Sequence, residues 1–87
     1  MSTIIGSRGK YKVLKVIYEY GEVNISRIAR ETGLNYAYVK RYVKELKDSG
    51  IINERAFGRA KMYSINYTSS KAVIVRDIIK ETEELDL

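Results

Sequence analysis

The chain has 87 residues, a net charge of +5, and neither cysteine nor histidine. That length permits one small domain with a modest core, helped by pairing with a second copy, and the missing residues exclude disulfides, cysteine-bearing zinc sites, thiol redox switches and His-assisted catalysis. The eleven acids show no calcium-loop spacing, and no apolar run nears the roughly 20 residues that span a membrane, so a cytoplasmic protein without metal or other cofactor is expected.

Residues 1–9 read as a flexible basic arm, polar apart from Ile4 and Ile5. From Lys10 the pattern turns helical: Tyr11, Leu14, Ile17 and Tyr18 recur at three- and four-residue intervals, with Val13 widening the apolar side. Gly21 closes that helix. Glu22 and Val23 are too few for an ordinary strand, although Val23 can add one rung to a sheet. Asn24 is a good N-cap for a second helix, with Ile25, Ile28 and Ala29 inward and Arg27, Arg30 and Glu31 outward. A turn at Gly33 follows, with Leu34 packed beneath it. Asn35 caps a third helix running to about Ser49, in which Val39, Tyr42, Val43 and Leu46 face inward.

Residues 51–55 and 61–66 read as two strands joined at 56–60, a hairpin with Gly58 at its tip and Tyr63 and Ile65 facing the core. Three helices followed by a basic-tipped hairpin make a winged helix-turn-helix. The fold class is therefore mainly α with a small β-hairpin, and the unit spans residues 10–67. Thr68 or Ser69 caps a last helix to about Leu85, within a 68–87 segment. Its apolar residues are too many for one shallow face. Ala72, Val75, Ile79 and Thr82 form one stripe; Ile74, Ile78 and Leu85 form an adjacent one. One stripe covers its own domain and the other requires a second subunit, so the dimerisation surface is drawn from Ala72, Val75, Ile78, Ile79 and Leu85.

Charge is distributed unevenly. Residues 8–61 hold thirteen Lys/Arg against six Asp/Glu, whereas residues 71–87 hold three against five. The basic part should face a polyanion and the acidic tail should face away from it. A helix-turn-helix holds its second helix against a partner. With Tyr36, Lys40, Arg41 and Lys44 on its outer face, that partner is the major groove of duplex DNA.

Arg41 can bridge guanine O6 and N7, a geometry worth about 1–3 kcal/mol of discrimination. The plainer alternative ties it to Glu45 at i,i+4, worth about 0.2–0.5 kcal/mol. Lys40 reads a base or neutralises a phosphate. Tyr36 can pack on a thymine methyl, Tyr38 stands between DNA contact and intramolecular packing, and Tyr42 belongs to the core. Arg59 and Lys61 bracket the hairpin tip, where an Arg can enter a narrow A·T-rich minor groove; Phe57 anchors the loop. Lys10, Lys12, Arg27 and Arg30 are candidate phosphate contacts. Glu45 and Asp48 form no general acid/base pair and no nucleophile has an activating neighbour, so no enzymatic activity is expected.

Three stretches, ISRIARETGL, YAYVKRYVKELKDSGII and GRAKMYSI, resemble in order and spacing the second helix, recognition helix and wing of winged helix-turn-helix transcription regulators. The nearest group is the bacterial and archaeal one that includes ArsR-like and MarR-like repressors. The resemblance covers roughly residues 10–67. It implies base reading by Tyr36, Ala37, Lys40 and Arg41, with Lys44 nearer the phosphates and a wing tip of Phe57, Gly58, Arg59 and Lys61. The chain lacks the Cys and His ligands of ArsR-like metal sensors and the extra helices that build a ligand cavity in many MarR-like proteins, so no small-molecule effector is evident. Its small size, abundant Ile and Tyr and short N-terminus look more like archaeal regulators, including plasmid and viral ones.

The expected function is a sequence-specific regulator of transcription that binds double-stranded DNA as a homodimer. Its two third helices would lie about 34 Å apart in successive major grooves. The alternatives are an architectural, replication or plasmid-partition DNA-binding protein, and a winged-helix protein–protein interaction module.

Overall fold

The computed structural model describes residues 8–85, with side chains through residue 81. The chain runs α1 (Arg8–Tyr20), β1 (Glu22–Val23), α2 (Ile25–Thr32), α3 (Tyr36–Asp48), β2 (Ile52–Phe57), β3 (Ala60–Ile65) and α4 (Ser70–Leu85). The three strands form one antiparallel sheet in the order β1-β3-β2. This is the winged helix-turn-helix architecture expected from the pattern. No helix among the described residues is long and apolar enough to cross a membrane.

One core serves every element. Leu14, Ile17, Ile28, Leu46 and Ile79 are its largest fully buried side chains, joined by Val13, Val39 and Val43. Burying each such side chain contributes about 1.5–3 kcal/mol relative to leaving it in water. Tyr11, Leu34 and Tyr42 pack against this core half-buried.

The turn between α2 and α3 is held by local chemistry. Asn24 caps α2, its side-chain oxygen accepting from the Arg27 amide at 2.8 Å. At the other end Gly33 takes φ 73°, a left-handed conformation that an L side chain would strain, and its amide donates to the Ala29 carbonyl. Thr32 Oγ1 donates to the Ile28 carbonyl at 2.7 Å and accepts from the Leu34 amide at 3.2 Å, which fixes the exit from the turn. Asn35 then caps α3 by accepting from the Ala37 amide at 2.8 Å.

Several boundaries differ from the sequence reading. α1 begins at Arg8, so Arg8 and Gly9 are helical and only residues 1–7 of the expected arm lie outside the described residues. Gly9 sits where a Cβ would run into the Tyr42 ring, and its missing side chain lets α1 approach α3 closely. Glu22 and Val23 do pair, with Ser64 and Tyr63. The hairpin is tighter than expected: Phe57 pairs with Ala60, leaving Gly58 and Arg59 as a two-residue turn in place of a five-residue loop. Cross-strand pairing supplies the reason, since Ala56 and Lys61 continue the register to the tip.

The largest correction concerns α4. Its cap is Ser69, whose carbonyl accepts from the Val73 amide. Ala72, Val75 and Ile79 are buried against this chain's own core at 1 %, 9 % and 0 % exposure, so these three do not form a dimerisation surface. The core beneath α4 takes the deeper stripe because it needs that cover to close. Ile78 is half-buried and Ile74 is exposed at 59 %, while the side chains of Thr82 and Leu85 lie outside the described ones.

Candidate nucleic-acid interface

Burial of Val39, Val43 and Leu46 sets the rotation of α3. At 3.6 residues per turn, Ala37, Arg41, Lys44 and Asp48 then form the outermost line of the helix; all four are exposed. Tyr36, Lys40 and Lys47 lie on the flank nearer the hairpin. Tyr38, Tyr42 and Glu45 lie on the opposite flank, beside the first turn of α1.

On the hairpin side an open groove of about 370 Å³ runs between three elements. The start of α2 (Asn24, Ile25, Ser26), the N-terminal half of α3 (Tyr36, Lys40) and the hairpin (Arg59, Ala60, Lys61) line it, with Tyr63 also on its wall. Its lining includes Lys40, Arg59 and Lys61 and no carboxylate. Three cations converging on a concave surface without an acid favour a bound anion. Folding thus brings together four residues singled out from the sequence: Tyr36, Lys40, Arg59 and Lys61.

The groove's walls are tied by a three-residue network. Lys47 Nζ donates to Glu54 Oε1 at 3.0 Å, and the Tyr63 hydroxyl donates to Glu54 Oε2 at 2.7 Å. Burial first, and then the bond to Glu54, push the Tyr63 hydroxyl up to about 12. The Tyr63 bond, and next the Lys47 bond, hold the Glu54 carboxyl below its ordinary range. Lys47 belongs to α3, Glu54 to β2 and Tyr63 to β3, so this network sets how far the hairpin stands from the helix. On the sheet's other face Arg55 makes a two-pronged bond to Glu22, at 2.9 and 2.7 Å, binding β2 to β1 across β3. That bond lowers the Glu22 pKa and raises that of Arg55.

On the outermost line, Lys44 pairs with Asp48 at 2.9 Å. Their hydrogen bond raises the Lys44 pKa and lowers that of Asp48. Arg41 makes no ion pair with Glu45. Its guanidinium carbon lies 5.0 Å from the Tyr38 ring centroid and 5.5 Å from that of Tyr42, and the two rings stack 6.3 Å apart. Tyr38 and Tyr36 are half exposed, at 50 % and 53 %. Tyr42 is half-buried rather than wholly in the core.

The expected phosphate contacts fare differently. Lys10 has a side chain only 13 % exposed, and its ammonium meets Glu45 Oε1 at 2.6 Å, a bond that lowers the Glu45 pKa. Arg27 stacks over the Tyr20 ring at 4.4 Å and lies 3.8 Å from Glu31. Lys12 borders a separate hollow of about 260 Å³ with Lys15, Glu19, Glu31 and Thr32. Arg30 is exposed. None of these four lines the groove. Sequence reasoning missed Ser26, the Lys47–Glu54–Tyr63 network and the Lys10–Glu45 pair. Only Ser26 carried a signal, because it follows the N-cap Asn24 in a first turn that offers backbone amides.

A three-helix core with a two-stranded wing, its third helix outward and basic, defines a winged helix-turn-helix domain. The sequence profile of the winged helix-turn-helix DNA-binding family matches residues 10–53. The chain belongs to that family. No curated protein matches the sequence. Among solved structures, a protein described as a predicted DNA-binding transcriptional regulator from E. coli is similar with TM-score 0.74 and 19% identity, covering 98% of this chain and 80% of that one. AF1382 from Archaeoglobus fulgidus is similar with TM-score 0.76 and 19% identity, covering 93% and 91%. The homodimeric winged helix-turn-helix DNA-binding domain of Mb0332 from Mycobacterium bovis is similar with TM-score 0.69 and 20% identity, covering 94% and 70%. At these identities the likeness establishes the fold.

Proposed function

We propose that this protein is a cytoplasmic, sequence-specific transcriptional regulator that binds double-stranded DNA as a homodimer. The observation that carries the reading is the acid-free groove in which Tyr36 and Lys40 of α3 face Arg59 and Lys61 of the wing. α3 enters the major groove, with Tyr36, Ala37, Lys40 and Arg41 toward the bases, Tyr38 at the edge of the contact and Lys44 toward a phosphate. Arg59 and Lys61 hold the adjoining backbone or minor groove. The relatives described as a transcriptional regulator and as a homodimer support the regulatory and dimeric parts of this reading. The exposed Ile74, with Ile78 beside it, is the apolar surface that a second subunit covers. Binding occupies a promoter or operator and involves no catalytic step.

Selection of bound sequences from a random duplex pool tests the proposal. A recovered inverted repeat, its halves about one helical turn apart, is the expected result. Binding that spreads along any duplex without enrichment points to an architectural role, and no duplex binding at all points to a protein-interaction module.

A further inference from the structure

The flank of α3 that faces away from the wing carries an arrangement the groove does not use. Glu45 stands one turn beyond Arg41 on the same helix, the natural i,i+4 partner for it. That carboxylate is instead drawn to α1, where Lys10 Nζ meets it at 2.6 Å. The guanidinium of Arg41 rests beside two stacked tyrosine rings, 5.0 Å from one centroid and 5.5 Å from the other. Among the described residues it has no hydrogen bond or ion pair, and Glu45 feels it only as a nearby charge, after the bond to Lys10. A guanidinium held over a ring without a hydrogen-bond partner keeps its N–H donors available, and those donors are what a two-pronged bond to a base requires. Gly9 completes the arrangement: a Cβ there would displace the Tyr42 ring.

We infer that Lys10, Tyr38 and Tyr42 are positioning residues that hold Arg41 ready to read a guanine in the major groove, Lys10 by keeping Glu45 from capturing it. This deepens the regulator reading and rests on it. It also reassigns Lys10, which acts on DNA through Glu45 and Arg41 rather than by touching a phosphate. A side chain already ordered loses less freedom when it binds, so the arrangement favours the correct base over a diffuse phosphate contact.

The test is a double-mutant cycle. Lys10→Met removes the ammonium and keeps an apolar stem. Glu45, released, then captures Arg41. Discrimination between the selected and a scrambled duplex should fall about tenfold, while affinity for the scrambled duplex stays within about twofold. Adding Glu45→Gln to that variant should restore discrimination, and Glu45→Gln alone should leave it at the wild-type level. A DNA-free measurement runs beside it: the Arg41 Nε–Hε resonance, displaced by the tyrosine ring currents, should move in the Lys10 variant and return in the double variant. Equal losses on both duplexes without rescue by Glu45→Gln would make Lys10 a phosphate contact and overturn the inference, as would an unmoved Arg41 resonance. A pool with no enriched sequence removes the regulator reading and this inference together; an enriched site with an unrescued Lys10 variant removes this inference alone.

Discussion

Arg41 stands on the outermost line of α3, and its surroundings suit it to a base more than to a phosphate. A phosphate contact needs only charge, whereas a guanine contact needs a planar donor pair held in a set orientation. Truncation separates the two roles. Arg41→Ala should cost about 1–3 kcal/mol on the selected duplex and much less on a scrambled one, measured by side-by-side titration; equal losses would remove Arg41 as a base reader. The outward position of Arg41 was legible in the sequence from the inward pattern of Val39, Val43 and Leu46. Its support was not. The Lys10–Glu45 pair beside it could not be seen, because Glu45 lies on another helix with no local pattern to announce it.

Between elements, polar side chains at the edge of the core fix the angles. The Lys47–Glu54–Tyr63 network joins α3 to the wing, and its tyrosine gives it a pH signature. The Tyr63 hydroxyl is raised to about 12 in the folded chain, against about 10 when unfolded. Below pH 10 both states hold the proton and the contribution is complete. Between about pH 10 and 12 the unfolded state loses its proton first, so stability falls by up to about 3 kcal/mol as pH rises. Chemical denaturation across that range should show this loss in the wild type and a shallower one in Tyr63→Phe; identical slopes would place no such bond at Tyr63. α4 makes a second case. Its excess of apolar residues was plain from sequence, but which stripe the domain keeps was not, because the three-dimensional shape of the core makes that choice. With Ile79 buried and Ile74 exposed at 59 %, the dimer proposal is tested at Ile74. Ile74→Glu should leave folding stability within about 0.5 kcal/mol and convert a dimer to a monomer in sedimentation at micromolar concentration. A wild-type chain that sediments as a 10.0 kDa monomer would contradict the dimer.

Across the whole molecule, the net charge of +5 matters less than where the positive charges gather. Lys10, Arg27, Lys44, Lys47 and Arg55 all have carboxylates of the same chain within 4.0 Å. Lys40, Arg59 and Lys61 instead meet in the groove between α3 and the wing, whose lining holds no carboxylate, with Arg41 exposed on the adjoining outer line of α3. The helices, the wing and its tip cations could be read from periodicity and turn residues. Which cations meet carboxylates and which gather in the groove could not, because it depends on contacts between distant segments. The central claim is that this surface grips duplex DNA, and equilibrium titration across a range of salt tests it most directly. With roughly five or more phosphates neutralised per dimer, the log–log slope of affinity against salt should be about −4 or steeper. A nearly flat slope, or no binding to duplex at about 50 mM salt, would contradict the account.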